Sequence, residues 1–338
     1  MGFTARCVII CLLGLGLWPT SIVLAESNSG YALPSGPLAV RNLSPVVLLY
    51  GLPRMSGSRL VSGSTEYSIN IEAANNFQSQ NRQGTFVFFD GETLVTSARA
   101  HGAWGSDFEW GLEIPYVAHT GGALDGVVDE FHEVFGLPDG ERSLAPRRRL
   151  DYLVRSDGVD YANFNDSVQS FGDVRGFLGY QVFNKPNQAF ALRAQLKLPT
   201  GRVEDLSGSE GTDVSLWGEY EYDVLSKYLK FKITLAGGVS YLGEGALIPE
   251  DQLTWVNFGH IGLQIPIHPR VDLIAQLDAH SNVLETGNPL IADGGVLGTV
   301  GGRIGLGEHW WVDVAIIEDL ENESASDVVF QFLFGSRF

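Results

Sequence analysis

Apolar and polar residues alternate with a period of two over segment after segment of this chain, the mark of strands with one greasy and one polar face. Phe190, Leu192, Ala194, Leu196 and Leu198 alternate with Ala191, Arg193, Gln195 and Lys197. Val214, Leu216, Tyr220 and Tyr222 oppose Ser215, Trp217, Glu219 and Glu221. Beyond a turn near 225–227, Leu229, Phe231, Ile233, Leu235, Val239 and Tyr241 alternate with Lys230, Lys232, Thr234 and Ser240. Val271, Leu273, Ala275, Leu277 and Ala279 do the same against Asp272, Gln276, Asp278 and His280. At the C-terminus Val328, Phe330, Phe332, Phe334 and Phe338 share one face, with Gln331, Gly335 and Arg337 on the other. Each run is long enough to cross a bilayer as a tilted strand. An aromatic edge this dense is sticky in water but is a correct outer surface in lipid, so Phe338 reads as the assembly signal of a closing outer-membrane strand.

The pattern predicts an all-β transmembrane antiparallel barrel of about 12 strands, at 65–77, 85–103, 107–117, 173–184, 188–199, 211–223, 229–242, 252–266, 270–282, 293–306, 309–318 and 326–338. Twelve is even, and short turns at 105–107, 185–187, 225–227, 267–269 and 307–308 all fall on one side, with longer connections on the other. Outer-membrane barrels have short periplasmic turns and long extracellular loops. Asp90-Gly91 interrupts the second strand, and Ser156-Asp157-Gly158 is able to turn a short extra hairpin.

Composition supports this reading and removes others. With 41 Gly, 11% aromatic and 18% charged residues, the chain suits short strands and tight turns. Residues 1–25 carry one Arg (Arg6), an apolar run from Val8 to Leu17, and Val23 and Ala25 ahead of an expected cleavage site, the form of a secretory signal. Cys7 and Cys11 both lie inside it, so the mature chain has no thiol, and Ile10 stands where a lipoprotein signal needs a small residue. Beyond the signal no run of eighteen apolar residues offers a helical span. Losing Arg6 takes the formal charge from −18 to −19, which argues against nucleic-acid binding. The plain reading of that charge is acidic side chains in solvated loops.

Two segments do not fit the wall. Residues 26–63 are rich in Ser, Gly and Pro and carry an apolar patch, Val46 to Tyr50; they are placed on the periplasmic side, with entry into the barrel mouth as an option. The barrel then occupies 64–338, and within it 118–172 is a long extracellular connection. Leu124, Val127, Val128, Phe131, Val134 and Phe135 form a helical stripe there, ended by Gly136 and Pro138. A connection this long either caps the barrel or folds inward as a plug.

Asp90-Gly91-Glu92, Glu113-Ile114-Pro115, Gly121-Gly122-Ala123-Leu124-Asp125, Phe131-His132, Phe135-Gly136-Leu137-Pro138, Arg142, Pro146 and Phe171-Gly172-Asp173 follow one another in an order that resembles a Gram-negative outer-membrane family, domain of unknown function 3187. The block from Gly121 to Pro146 is the densest part of the match. The resemblance implies a barrel in the bacterial outer membrane and no established activity.

Candidate chemistry therefore lies in the lumen. Hairpin register places Arg99 opposite Glu113, Lys232 opposite Glu219, Lys230 opposite Glu221, Lys197 near Asp213 and Arg193 near Trp217; with Asp272 and Asp278 these are the expected lumen lining. Ion-pair scaffolding is the plain role for them and a solute-selecting pore lining the functional one. Leu124, Phe131, His132, Phe135, Arg142 and Arg147 are the candidate gate or cap, and in a plug Arg142, Arg147, Arg148 and Arg149 meet Glu109, Glu113, Glu219 and Glu221. Outside, the same arginines bind anionic lipopolysaccharide instead. Catalysis finds poor support. His260, Asp272, Gln276, Asp278 and His280 share the lumen, and His280-Ser281-Asn282 invites comparison with outer-membrane phospholipase A, but neighbours on a strand point to opposite faces. His119, Asp125, Asp129, His132 and Glu133 lack metal-ligand spacing, and phosphate or dinucleotide loops are absent. The expectation is a channel or facilitator for small solutes, against a closed structural or interaction barrel and, more remotely, a rim enzyme. No cofactor is expected, and the partners are outer-membrane lipid, lipopolysaccharide and the barrel assembly machinery.

Overall fold

Alternation becomes geometry in fifteen strands. In the computed structural model, which describes residues 33–61, 63–122, 126, 148–225, 230–320, 325–326 and 328–338, these are β1 (Thr65–Arg82), β2 (Thr85–Trp104), β3 (Phe108–Thr120), β4 (Asp151–Ser156), β5 (Val159–Phe164), β6 (Val168–Phe171), β7 (Val174–Lys185), β8 (Gln188–Leu198), β9 (Asp213–Leu225), β10 (Lys230–Tyr241), β11 (Trp255–His268), β12 (Val271–His280), β13 (Gly295–Gly305), β14 (Trp310–Asp319) and β15 (Val328–Arg337). Neighbours pair antiparallel in the order β2, β1, β15, then down to β7, then β3, and β3 returns to β2 to close a twelve-strand barrel. The seam joins the two ends of the wall: Thr65 N–H donates to the Phe338 carbonyl at 2.8 Å and Phe338 N–H to the Thr65 carbonyl at 3.0 Å. Closure leaves no strand edge unpaired in the hydrocarbon, which a spanning sheet requires.

Side chains sort by parity. Leu196, Leu216, Leu235 and Leu277 are 41–56% exposed on the outside, whereas Lys197 and Glu221 on the opposite faces are 0% exposed. Aromatic rings collect near the strand ends: Trp310 stacks on Phe334 at 5.1 Å and meets Phe338 edge-on at 5.7 Å at the short-turn end, and Tyr241 meets Trp255 at 5.2 Å at the other. Such girdles sit at the membrane interfaces.

Three features depart from the sequence expectation. The first hairpin is longer, because β1 runs on to Arg82 and turns through Gln83 and Gly84, both at positive φ. Gln78 to Arg82 carry no apolar stripe because this part rises beyond the barrel rim, where β4 and β5 add to it through Thr85↔Ser156 to Asp90↔Asp151. The β4–β5 turn is Asp157-Gly158, both at positive φ, the form that two-residue hairpins favour. Asp90-Gly91 does not break β2; there the strand passes from β3 to β4 as partner, and a Cβ on Gly91 would lie 2.8 Å from Leu150. The second departure is at Gly172-Asp173, where β6 and β7 are one path along β3 with a one-residue slip, as Tyr116↔Phe171 and Glu113↔Arg175 show. Third, β9 extends to Leu225 and β10 starts at Lys230, so Lys232 stands opposite Asp223 rather than Glu219, Glu221 opposite Thr234, and Lys230 opposite Leu225. The offset is even, so faces are kept while partners change. The other expected pairs, Arg99↔Glu113, Lys197↔Asp213 and Arg193↔Trp217, are cross-strand neighbours.

Of the helix expected in 118–172, only Gly126 lies among the described residues, in helical conformation. A separate short helix, Pro289–Ala292, lies in the connection between β12 and β13, with Asn288 as its N-cap.

Candidate functional site

The lumen is occupied by the chain's own N-terminal segment. Residues 33–61 enter at the short-turn end, climb to the long-loop end, reverse at a 3-10 turn over Val47–Leu49, and descend before β1 begins. A backbone outside any sheet must find other hydrogen-bond partners when buried. The inner wall supplies them with side chains. On the rising limb Arg303, held by Asp313 at 2.8 Å, donates to the carbonyls of Pro34 (2.7 Å), Gly36 (3.2 Å) and Pro37 (3.1 Å). Gln276 takes the Leu38 N–H at 2.9 Å and donates to its carbonyl at 3.2 Å, and Gln331 donates to Ala39 at 2.8 Å. On the falling limb Asp213 accepts from Gly51 N–H at 2.8 Å, Gln195 and Ser215 donate to the Gly51 carbonyl at 2.9 Å, and Gln181 accepts from Leu60 N–H at 3.0 Å. The limbs touch backbone to backbone at Gly36 (φ +109°) and Gly57 (φ +91°), where a Cβ on Gly36 would lie 2.8 Å from the Gly57 Cα. Only glycine fits such an approach at these angles.

The segment carries three arginines and no acid. Arg41 lies 3.4 Å from Glu113 and 3.9 Å from Glu72; Arg54 bridges Glu72 and Glu113, the latter at 3.7 Å; Arg59 bridges Glu221 and Asp223, the latter at 2.9 Å. The acidic lining is thus met by the N-terminal segment and by wall cations. Arg193 pairs with Glu109 (2.6 Å) and Glu219 (2.8 Å), Lys197 with Asp173 (2.7 Å) and Asp213 (3.1 Å), and Lys232 with Glu221 (3.1 Å) and Asp223 (3.6 Å). Arg175 reaches Glu113 at 3.4 Å. Arg99 donates to Ser56 at 2.8 Å and lies over the Phe177 ring. Asp272 accepts from Gln264 at 2.7 Å, and Lys230 lies on the lumen-facing parity at the short-turn rim.

The tip is a hydrophobic seal. Val46, Val47, Leu48, Leu49 and Tyr50 are at most 4% exposed. Val46, Val47, Leu49 and Tyr50 pack with Phe89, Leu150, Tyr152, Leu206, Ile248 and Ile291, drawn from the β2 extension, the β4–β5 hairpin and the loops at that end. Lower down, Leu38, Val40, Leu43 and Leu48 meet inward apolar wall residues such as Val95, Val117, Ile274 and Ile317. Each such side chain is worth roughly 1.5–3 kcal/mol when fully buried. Between plug and wall a water-sized void remains beside Arg54, Arg99, Glu113, Arg175, Phe177, Gln195 and Trp217.

These findings correct two expectations. The apolar patch does not rest at the short-turn mouth where the segment enters; it lies at the opposite, long-loop end. Arg149 does not meet the lumen acids, for it pairs with Asp90 at 3.6 Å and with Asp151 outside. Leu124, Phe131, His132, Phe135, Arg142 and Arg147 lie outside the described residues.

His119 and His280 are structural in their contacts. His119 is held by Thr93 at 3.0 Å and the Leu206 carbonyl at 3.3 Å, and His280 by Asn42 at 3.0 Å. His260 has Asp278 on Nδ1 at 2.8 Å and Thr234 on Nε2 at 2.9 Å, the order of a nucleophile, base and orienting acid. Thr234, however, sits mid-strand with ladders on both sides, to Glu221 and Gly262, so the backbone N–H groups around it are spent in the sheet rather than gathered as an oxyanion hole. No group of three or more His, Cys, Asp or Glu suited to a metal occurs among the described residues.

Sequence reasoning missed Glu72, Asp173, Asp223, Arg175, Arg303 and Asp313 as lumen residues, and all three plug arginines. The signal was present: a Gly- and Pro-containing segment with Arg41, Arg54 and Arg59 as its only charges, in a strongly acidic chain.

A solved structure described as the COG4313 outer membrane channel from Pseudomonas putida F1 is similar in fold, with a TM-score of 0.52 at 12% identity over 85% of this chain and 100% of that one. NanC porin (TM-score 0.41, 8% identity, 80% and 98% covered) and KdgM porin (0.41, 7%, 80% and 98%) also align. No match is found among curated protein sequences. A family model described as "Protein of unknown function (DUF3187)" matches residues 14–338.

Proposed function

The chain belongs to the DUF3187 family, and from that premise we propose that it is a gated channel for small solutes in the bacterial outer membrane, held shut by residues 33–61. The short-turn end then faces the periplasm and the long loops face outward. The observation that carries the reading is the filling of the lumen by a segment that contributes no strand to the wall and is held by wall side chains and ion pairs. A barrel meant only to be solid can fill its interior with side chains from its own strands. Here the filling is a separate piece of chain, continuous with β1 at the periplasmic end, and its withdrawal leaves a polar lining of the kind that conducts.

The ion pairs suit a latch. Buried pairs add little net stability over apolar packing, yet they fix register and are costly to break one-sidedly while dry. Water entering from the periplasmic mouth removes that cost, so the latch is stable when sealed and releasable when flooded. No catalytic step is assigned to the lumen.

Single-channel recording on the purified protein in planar bilayers tests this. The intact protein is expected to show little conductance, and a variant lacking residues 33–61 to show large, stable steps. A correctly assembled deletion that stays silent would favour the second reading, a closed structural or interaction barrel, for which the apolar seal at the outer mouth speaks.

A further inference from the structure

The charges on plug and wall are not interchangeable. Arg41, Arg54 and Arg59 are all the charged side chains that the plug's described residues bring, and each lies against a pair of wall carboxylates or within reach of one. Most wall cations are already paired with wall carboxylates, although Arg99 donates to Ser56 of the plug and Arg303 also donates to plug carbonyls. Arg193, Lys197 and Lys232 each touch two wall carboxylates, Arg175 touches Glu113, and Arg303 is clamped by Asp313. Asp213 and Glu219 also spend oxygens on plug N–H groups, at Gly51 and at Ser56 and Gly57. Taking the plug away removes positive charge and N–H donors together, and leaves carboxylates in excess over every cation that stays behind.

Resting on the channel reading above, we propose that the opened lumen selects cationic solutes bearing amine or guanidinium groups, whose places Arg41, Arg54 and Arg59 occupy in the closed state. There are two stations. Glu72 and Glu113 form the inner one, filled by Arg54 with Arg41 beside it; Glu221 and Asp223 form the one near the periplasmic mouth, filled by Arg59. Arg54 and Arg59 are five residues apart, so their Cα atoms lie at most about 18 Å from one another, and the two stations follow one another along the falling limb. Charged rings of this sign are how cation pathways are lined. Such a solute also competes with the plug, because it satisfies the same carboxylates.

Two variants test this, each first checked for assembly by its heat-dependent gel migration: one lacking residues 33–61, and R41A/R54A/R59A, which keeps the apolar tip. Reversal potentials are recorded in a KCl gradient. Binding of agmatine, which has one guanidinium and one amine, and of glutarate, a dianion of similar length, is measured by calorimetry on the detergent-purified proteins. Potassium preference is expected, with agmatine bound at least about tenfold more tightly than by the intact protein and glutarate bound weakly. Adding E72Q/E113Q or E221Q/D223N should cut both the potassium preference and the agmatine affinity. Chloride preference, tighter binding of glutarate, or indifference to the carboxylate changes would overturn the proposal. If agmatine binds through these carboxylates but neither variant conducts, the channel reading fails and the cation stations stand. Absence of agmatine binding in both variants overturns the stations whether or not current flows.

Discussion

At Lys197 the wall gathers a buried polar knot: the ammonium reaches Asp173 at 2.7 Å, Asp213 at 3.1 Å and the Leu49 carbonyl at 3.0 Å, with the side chain wholly buried. Replacing it by Met leaves two carboxylates without their cation at the level of the plug's turn. Breaking a buried pair in this one-sided way costs about 3–5 kcal/mol. Lys197→Met should lower the denaturant midpoint for unfolding from vesicles by an amount that Lys197→Met/Asp213→Asn partly restores. Outside, the cost has a different origin. Leu216 and Leu277 are exposed on the outer face, where an arginine near the midplane costs roughly 2–4 kcal/mol. Leu216→Arg should therefore reduce folding stability by that order, and cysteines placed at 196, 216, 235 or 277 should react with a lipid-soluble maleimide while one at Glu219 does not. The mature chain's expected lack of thiols makes this scan clean.

At the scale of elements, the plug is a hairpin of coil whose limbs meet at Gly36 and Gly57. A side chain at either position meets backbone, which cannot yield as a flexible side chain can. Gly57→Val is expected to loosen the plug while leaving the barrel intact, raising conductance without changing the heat-dependent gel shift. The long connection stands differently. Since residues 33–61 already occupy the lumen, deleting 121–146 from an otherwise intact chain should leave conductance near the closed level. Deleting both segments should match deletion of the plug alone, and a larger pore in the double deletion would give the connection a share in the constriction. The β4–β5 hairpin belongs to the seal, because Tyr152 and Val154 pack against the plug tip in one cluster.

For the whole molecule, closure through Thr65 and Phe338 ties the plug's exit to the barrel seam, only four residues beyond Val61. Removing Phe338 takes away both hydrogen bonds to Thr65 at the end of the seam and a ring of the interfacial girdle, so assembly should suffer far more than from a comparable change at Arg337. Pulse-chase recovery of the heat-modifiable form measures the difference. Withdrawal of the plug through the short-turn end needs no strand of the wall to move, since its contacts with the wall are side-chain hydrogen bonds, ion pairs and apolar packing rather than sheet pairing.

The wall was legible in the sequence because a lipid-facing strand writes its environment into every second residue. Leu192 to Leu198, Val214 to Tyr222 and the C-terminal phenylalanines could have no other solvent, and turn parity followed from their lengths. Even the Lys232 partner, misplaced because the β9–β10 pairing is centred two residues farther along the chain than expected, kept its face, because period two survives an even shift. The filling of the lumen was not legible. Residues 33–61 have no period, since a coil lying against a wall on all sides buries residues wherever contact falls. Their polar partners, Gln276, Gln331, Arg303 and Asp213, are spread over strands far apart in sequence, and only closure of the barrel brings them round one axis. The sequence by itself determined a barrel and its two faces, because the bilayer acts on each residue locally. Which segment lies inside, and which carboxylate meets which arginine, was decided by tertiary structure, because those contacts exist only between parts of the chain that the closed wall places opposite one another.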